Sequence, residues 1–244
     1  MSEHKTAKYF KYALGEIVLV MVGILLALQV NNWNEDQKNE RKKEVYLQDI
    51  YKDMEMNIAE IEEDIDNNNV VIAACDSLLT MANNGTYYNI GEEALFGLIV
   101  KLGDYSLLQL EQGTLQEILN SGTLQIFTNK EIRNSIVDWE RKFIGVREME
   151  RFGRDGMNQY FQKLNEFIPT YKIGYNTKEG DYTNILSSAI RKQYFNDISL
   201  LNTIGSIRFV AETLNALYTD KIAEIVHFNS LIKKELGDDL LITK

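Results

Sequence analysis

From Tyr12 to Val30 the chain reads YALGEIVLVMVGILLALQV, a run interrupted only by Glu16 and Gln29. Its roughly 19 residues, at 1.5 Å of helical rise each, reach about 28 Å, the thickness of a bilayer's hydrocarbon core. A helix in the core of a water-soluble domain keeps a polar side, and Ile17 to Leu28 has none. A transmembrane helix over 12–32 is the expectation, with residues 1–11 as a short cytoplasmic tail. Lys5, Lys8 and Lys11 precede the run as they would in a secretory signal, but LALQVNNWNE after it offers no small-x-small cleavage site. The expectation is therefore an uncleaved signal-anchor. The three lysines favour a cytoplasmic N-terminus by the positive-inside rule, against Lys38, Arg41, Lys42 and Lys43 on the far side.

Glu16 lies about one turn inside the run, close enough to the end for its carboxylate to snorkel toward Lys8 or Lys11. It also shares a helical face with Val20, Gly23, Ala27 and Val30. Gly23-x-x-x-Ala27 is a small-residue pair of the kind that lets a second helix approach closely. Glu16, Gly23 and Ala27 are thus the candidates for association within a membrane, and a ring of Glu16 carboxyls could bind a cation or proton. Tyr9, Tyr12 and Trp33 flank the run, where aromatic rings anchor a helix at the headgroup level.

Beyond Trp33 the chain turns polar without breaking. Asn34 to Asn83 contains no Gly or Pro, and Leu47, Ile50, Met54, Ile58, Ile61, Ile65 and Ile72 recur in helical steps. The spacing predicts one long amphipathic helix over 33–83, part stalk and part bundle, that continues from the membrane helix. Its flanking charges do not establish the heptads of a coiled coil. NNGTYYNIG supplies a stop. The remainder, 84–244, reads as helices: EEALFGLIVKLG; TLQEILNSG, with Thr114 and Glu117 in capping-box spacing; a long helix from about Asn129 to Phe167, opened by Thr128 with Glu131 and stopped by Pro169; and a last one from about Ile185 to Leu236. The fold class is all-α: a transmembrane helix running into a long amphipathic one, packed in an antiparallel helical bundle.

Chemistry is sparse. A net charge of −10 argues against nucleic acid, whose phosphates call for a basic face. Asp64, Asp66 and Asn68 start like a calcium loop, but Asn69 stands at the turn glycine and Cys75 at the bidentate glutamate, so the stretch reads as a helix face. His227 has no second histidine nearby, and Cys75, the single cysteine, follows VVIAA like a small core residue. No phosphate-cradling loop or nucleophile elbow occurs. No enzyme, catalytic residue, metal or cofactor is expected.

KYALGEIVLVMVGILLALQVNNWNE (Lys11 to Glu35) resembles the GEIxLVxxGILxALxxNNW opening of a family of uncharacterised bacterial membrane proteins, a domain of unknown function. LNSGTLQIFTNKEIRNSIVDWE (Leu119 to Glu140) is similar to a second, weaker signature of that family. The resemblance implies a single-pass, helix-rich protein of Gram-negative envelopes, and it supplies no activity. The expected partners are the lipid bilayer and either further copies of the chain or another membrane protein. The expected place is the inner membrane with the helical domain periplasmic. Three roles fit: a partner-binding or sensing domain, an ion-conducting or energy-coupling component with Glu16 in the pathway, and a structural envelope stalk.

Overall fold

The computed structural model describes residues 3–104, 107–166, 168–169 and 185–237, with side chains from residue 14 onward. Every regular element among them is helical. Helix α1 (Glu3–Asn84) is one unbroken rod of 82 residues, about 120 Å long at 1.5 Å per residue. It ends where Gly85 takes φ 65°, a left-handed conformation that glycine adopts without steric cost. Among the described residues, five helices and a 3-10 turn follow before the last long element. They are α2 (Glu92–Lys101), α3 (Gly113–Asn120), the turn (Thr123–Ile126), α4 (Lys130–Lys142), α5 (Ile144–Leu164) and α6 (Ser188–Asn196). Helix α7 (Ile198–Leu236) closes the described fold, and Gly237 beyond it has φ 78°.

The α1–α7 interface is the most extensive, and α5 packs along α7 on another side. Polar pairs mark the α1–α7 register: Lys43 with Glu235, Glu55 with Asn229, Asn68 with Asn215 and Asp76 with Arg208. Numbers rise along α1 as they fall along α7, so these two helices run in opposite directions. Apolar burial holds them together, at about 1.5–3 kcal/mol for each large side chain fully withdrawn from water. Leu47, Ile50, Met54 and Ile61 of α1 are all buried against Leu214, Ile225 and Phe228 of α7 and Ile132 and Ile136 of α4. A second cluster, farther from the N-terminal run, joins Val71, Cys75 and Leu78 to α2, α6 and the start of α7.

Several sequence expectations need correction. The helix expected from Asn129 to Phe167 is two, broken at Phe143 (φ −98°, ψ 2°), whose buried ring packs 5.0 Å from Trp139 between centroids. Its cap is Asn129 rather than Thr128: the Asn129 side-chain oxygen accepts from the amides of Glu131 and Ile132 at 3.0 and 3.4 Å. The helix expected from Ile185 to Leu236 is interrupted at Asp197, whose carboxylate accepts from the Leu200 amide at 3.0 Å and starts α7 afresh. Ile198 is exposed beside that cap. The proposed Thr114–Glu117 box does not form, because α3 starts at Gly113 and Glu117 instead accepts from the Tyr46 hydroxyl at 2.8 Å.

Candidate functional site

The part of α1 that precedes the bundle has no packing partner among the described residues. From Leu14 to Lys42 every side chain is exposed. An 18-residue window of this helix has a mean hydropathy of 2.1 with none of it buried, so the segment is long and apolar enough to cross a membrane. Glu16, Gly23 and Ala27 are separated by seven and four residues. At about 100° per residue they fall within roughly 40° of one another around the helix, over about 16 Å of its length. A Cβ placed on Gly23 would meet nothing within 4 Å, so that face is open. Trp33 is exposed at the end of the apolar run, while the side chains of Tyr9 and Tyr12 lie outside those described.

Between Trp33 and the bundle, nine residues, Asn34 to Lys42, form an exposed helical neck. The bundle starts at Lys43, the first buried one among the described side chains of α1. Its ammonium lies 2.6 Å from Glu40 and 3.4 Å from Glu235 near the end of α7. Burial works against that charge, but hydrogen bonding and Coulomb attraction from the two carboxylates outweigh it and hold the Lys43 pKa above its ordinary value. The Asn129 amide donates to Glu235 at 3.4 Å, and Lys42 stands 5.4 Å over the Tyr46 ring. α1, α3, the start of α4 and the end of α7 thereby meet in one polar collar at the base of the neck. Sequence reasoning missed it, although Lys43 continues the 47, 50, 54 stripe one turn back.

Other polar groups are committed to structure. Glu150 of α5, though buried, accepts from the Leu108 amide and the Tyr218 hydroxyl, each at 3.1 Å, with Arg147 at 3.2 Å on its other oxygen. Asn57 pairs with the backbone of Glu111 in both directions, donating to its carbonyl at 2.9 Å and accepting from its amide at 2.7 Å. These two residues pin the segment between α2 and α3. Arg191 donates to the carbonyls of Leu186, Tyr87 and Ile90, tying α6 to the turn after α1. Cys75 is fully buried, and burial pushes its thiol up to about 12. Asp64 to Cys75, the stretch that begins like a calcium loop, is helical throughout. Among the described residues no three or more His, Cys, Asp or Glu side chains are grouped to hold a metal ion. His227 is exposed.

An open groove of about 500 Å³ lies between α5 and α7 at the end of the bundle remote from the neck. Gly153 and Gly156 form one wall, and Asn202, Thr203 and Ser206 line the other. Phe152 stands exposed at its edge.

Residues 16–82 match the model of a family of unknown function, DUF6090. The matched stretch covers the open apolar face, the neck and nearly all of α1's packed length. It ends before Leu119–Glu140, so the second resemblance has no counterpart in it. No curated protein and no solved structure matches the chain.

Proposed function

We propose that the chain is a membrane-anchored, non-enzymatic helical domain that binds a partner protein or senses a ligand at a bacterial envelope. One observation carries this reading: an apolar helical surface, bare from Leu14 to Val30, belongs to the same unbroken helix that is packed from Lys43 onward. Bare apolar surface of that extent on a helix requires lipid or another protein. In this reading the N-terminus is cytoplasmic, and an antiparallel bundle stands on its neck in the periplasm. Copies of the chain, or another membrane protein, join it through Glu16, Gly23 and Ala27. The commitment of Glu150, Asn57 and Arg191 to structural hydrogen bonds, and the protonated, enclosed Cys75, support a non-enzymatic role.

Two measurements test it. Gly23→Leu fills the open face and is expected to abolish cross-linked oligomers in lipid nanodiscs, while an unchanged ladder would remove the face from the proposal. Because Cys75 is enclosed, orientation is read from Thr80→Cys, an exposed position, with an impermeant maleimide on intact spheroplasts. Labelling there supports a periplasmic bundle, and labelling only after lysis reverses the orientation.

A second reading draws on Glu16 alone, an ionisable group on an otherwise apolar surface. An oligomer lined by its carboxyls would conduct or couple ions, and Glu16→Gln would abolish flux in liposomes with assembly intact. Absence of flux from the wild-type protein would dispose of it. The length of α1 also suits a structural stalk that sets spacing in the envelope.

A further inference from the structure

The buried apolar residues form two clusters instead of one. On α1 the first ends near Ile61 and Ile65 and the second begins at Val71, with buried Asp64 and Asn68 between them. Asn68 donates to the Asn215 side chain of α7 at 3.0 Å, and Asn215 donates to Asn69 at 2.9 Å. On α5 the boundary falls between Val146 and Tyr160, where Glu150 and Gly153 are the buried positions. A void of about 10 Å³, lined by Asn68, Gly153, Met157 and Ala211 among others, lies at the same level. Helices α1 and α5 therefore cross a layer of amides, carboxylates, small residues and imperfect packing, and on α7 the boundary between the clusters falls between Ile207 and Val210.

Such a layer transmits little cooperativity. Apolar contacts lose their stabilisation together when a core opens, whereas amides exposed by opening recover hydrogen bonds from water. The first cluster is further secured at the neck by Lys43, Glu235 and Asn129. The second is covered by the short helices α2 and α6, joined through Arg191, through Glu92, which accepts from the Leu186 amide at 2.6 Å, and through the Tyr160 hydroxyl of α5, which lies 2.8 Å from the Tyr194 hydroxyl and donates to the Ile99 carbonyl at 3.3 Å.

We infer that the bundle consists of two cooperative units meeting at the Asn68–Asn215 seam, and that the unit remote from the neck opens while the neck-proximal unit stays folded. Gly153, Ile207 and Val210 line both the void and the outer groove, so opening of the remote unit dismantles that groove. The groove is then a feature of the closed state, and an occupant would draw the remote unit shut.

The test is native-state hydrogen exchange by mass spectrometry on the full chain in mild detergent, across a series of low urea concentrations. Peptides covering 71–82, 95–101 and 200–207 are expected to exchange about tenfold or more faster than those covering 47–61 and 214–232, with a shallower urea dependence. Asn68→Leu combined with Asn215→Leu makes the seam apolar and should narrow that ratio. A single rate and a single urea slope for both groups in the wild-type chain would overturn the two-unit inference. A wild-type difference that the double variant leaves unchanged would overturn the seam as its cause. If the double variant does not fold, the wild-type series decides alone.

Discussion

Asn57 is fully buried on α1, and its amide replaces a backbone partner for Glu111 at both the amide and the carbonyl. Asn57→Ala removes both bonds. At a net value of about 1 kcal/mol each, the direct loss is about 2 kcal/mol. Glu111 is itself exposed, so water can recover part of the loss at its backbone groups, and the small space left behind adds to the cost. With a urea slope near 2 kcal/mol/M, the unfolding midpoint should fall by about 1 M, read by far-UV circular dichroism in detergent. Asn57→Asp separates the two bonds. The introduced carboxylate still accepts from the Glu111 amide, but it sets a negative oxygen against the Glu111 carbonyl. Burial and that repulsion raise its folded pKa above the unfolded value of about 3.9. Its protonated form can donate to the carbonyl, so the deficit relative to wild type should shrink as pH falls through the folded pKa and return as pH rises. An alanine variant within about 0.2 M of the wild-type midpoint, or an aspartate deficit indifferent to pH, would refute the assignment of Asn57 as the pin of this loop.

Cys75 should resist maleimide in the native protein at pH 8 and react fully once the chain is denatured. Its thiol titrates near 12 in the fold against an ordinary value of 9.0, so its contribution to stability is present below about pH 9 and lost as pH rises toward 12. Arg191→Ala should speed exchange of amides 85–91 by about tenfold or more, because three carbonyls lose a charged donor; unchanged exchange would show that the turn holds without it. A methyl group on Gly103 would lie 2.5 Å from the Phe161 ring, so Gly103→Ala should cost about 1–2 kcal/mol. Adding Phe161→Leu should recover part of that loss in a double-mutant cycle.

Where the physics is periodic, the sequence was readable. Lipid-length apolarity marked the bare segment, and the 47, 50, 54, 61 spacing marked the packed face of α1. The break at Phe143 was hidden because the apolar steps 139, 143, 146 continue in phase across it. Asp197 was hidden because one capping carboxylate in a helical pattern resembles any solvated acid. The buried polar residues escaped for a related reason. Asn57, Asn68 and Glu150 occupy positions where periodicity asks for an apolar side chain, and only their partners, tens of residues away in the chain, explain them. Of the candidate association face, the sequence showed the angular grouping of Glu16, Gly23 and Ala27, and the structure adds that nothing else in the described chain occupies it.

The neck has one further consequence. Because α1 passes from the bare segment into the bundle without a hinge, the two share a single helical phase. Each residue inserted between Asn34 and Lys42 would turn the bundle by about 100° around the axis while lifting it only about 1.5 Å. An insertion of seven residues would raise it by about 10 Å and leave its bearing within roughly 20° of the original. Insertions of two and seven residues therefore separate azimuth from height. A role that depends on which side of the bundle faces a neighbour should tolerate the longer insertion better than the shorter one.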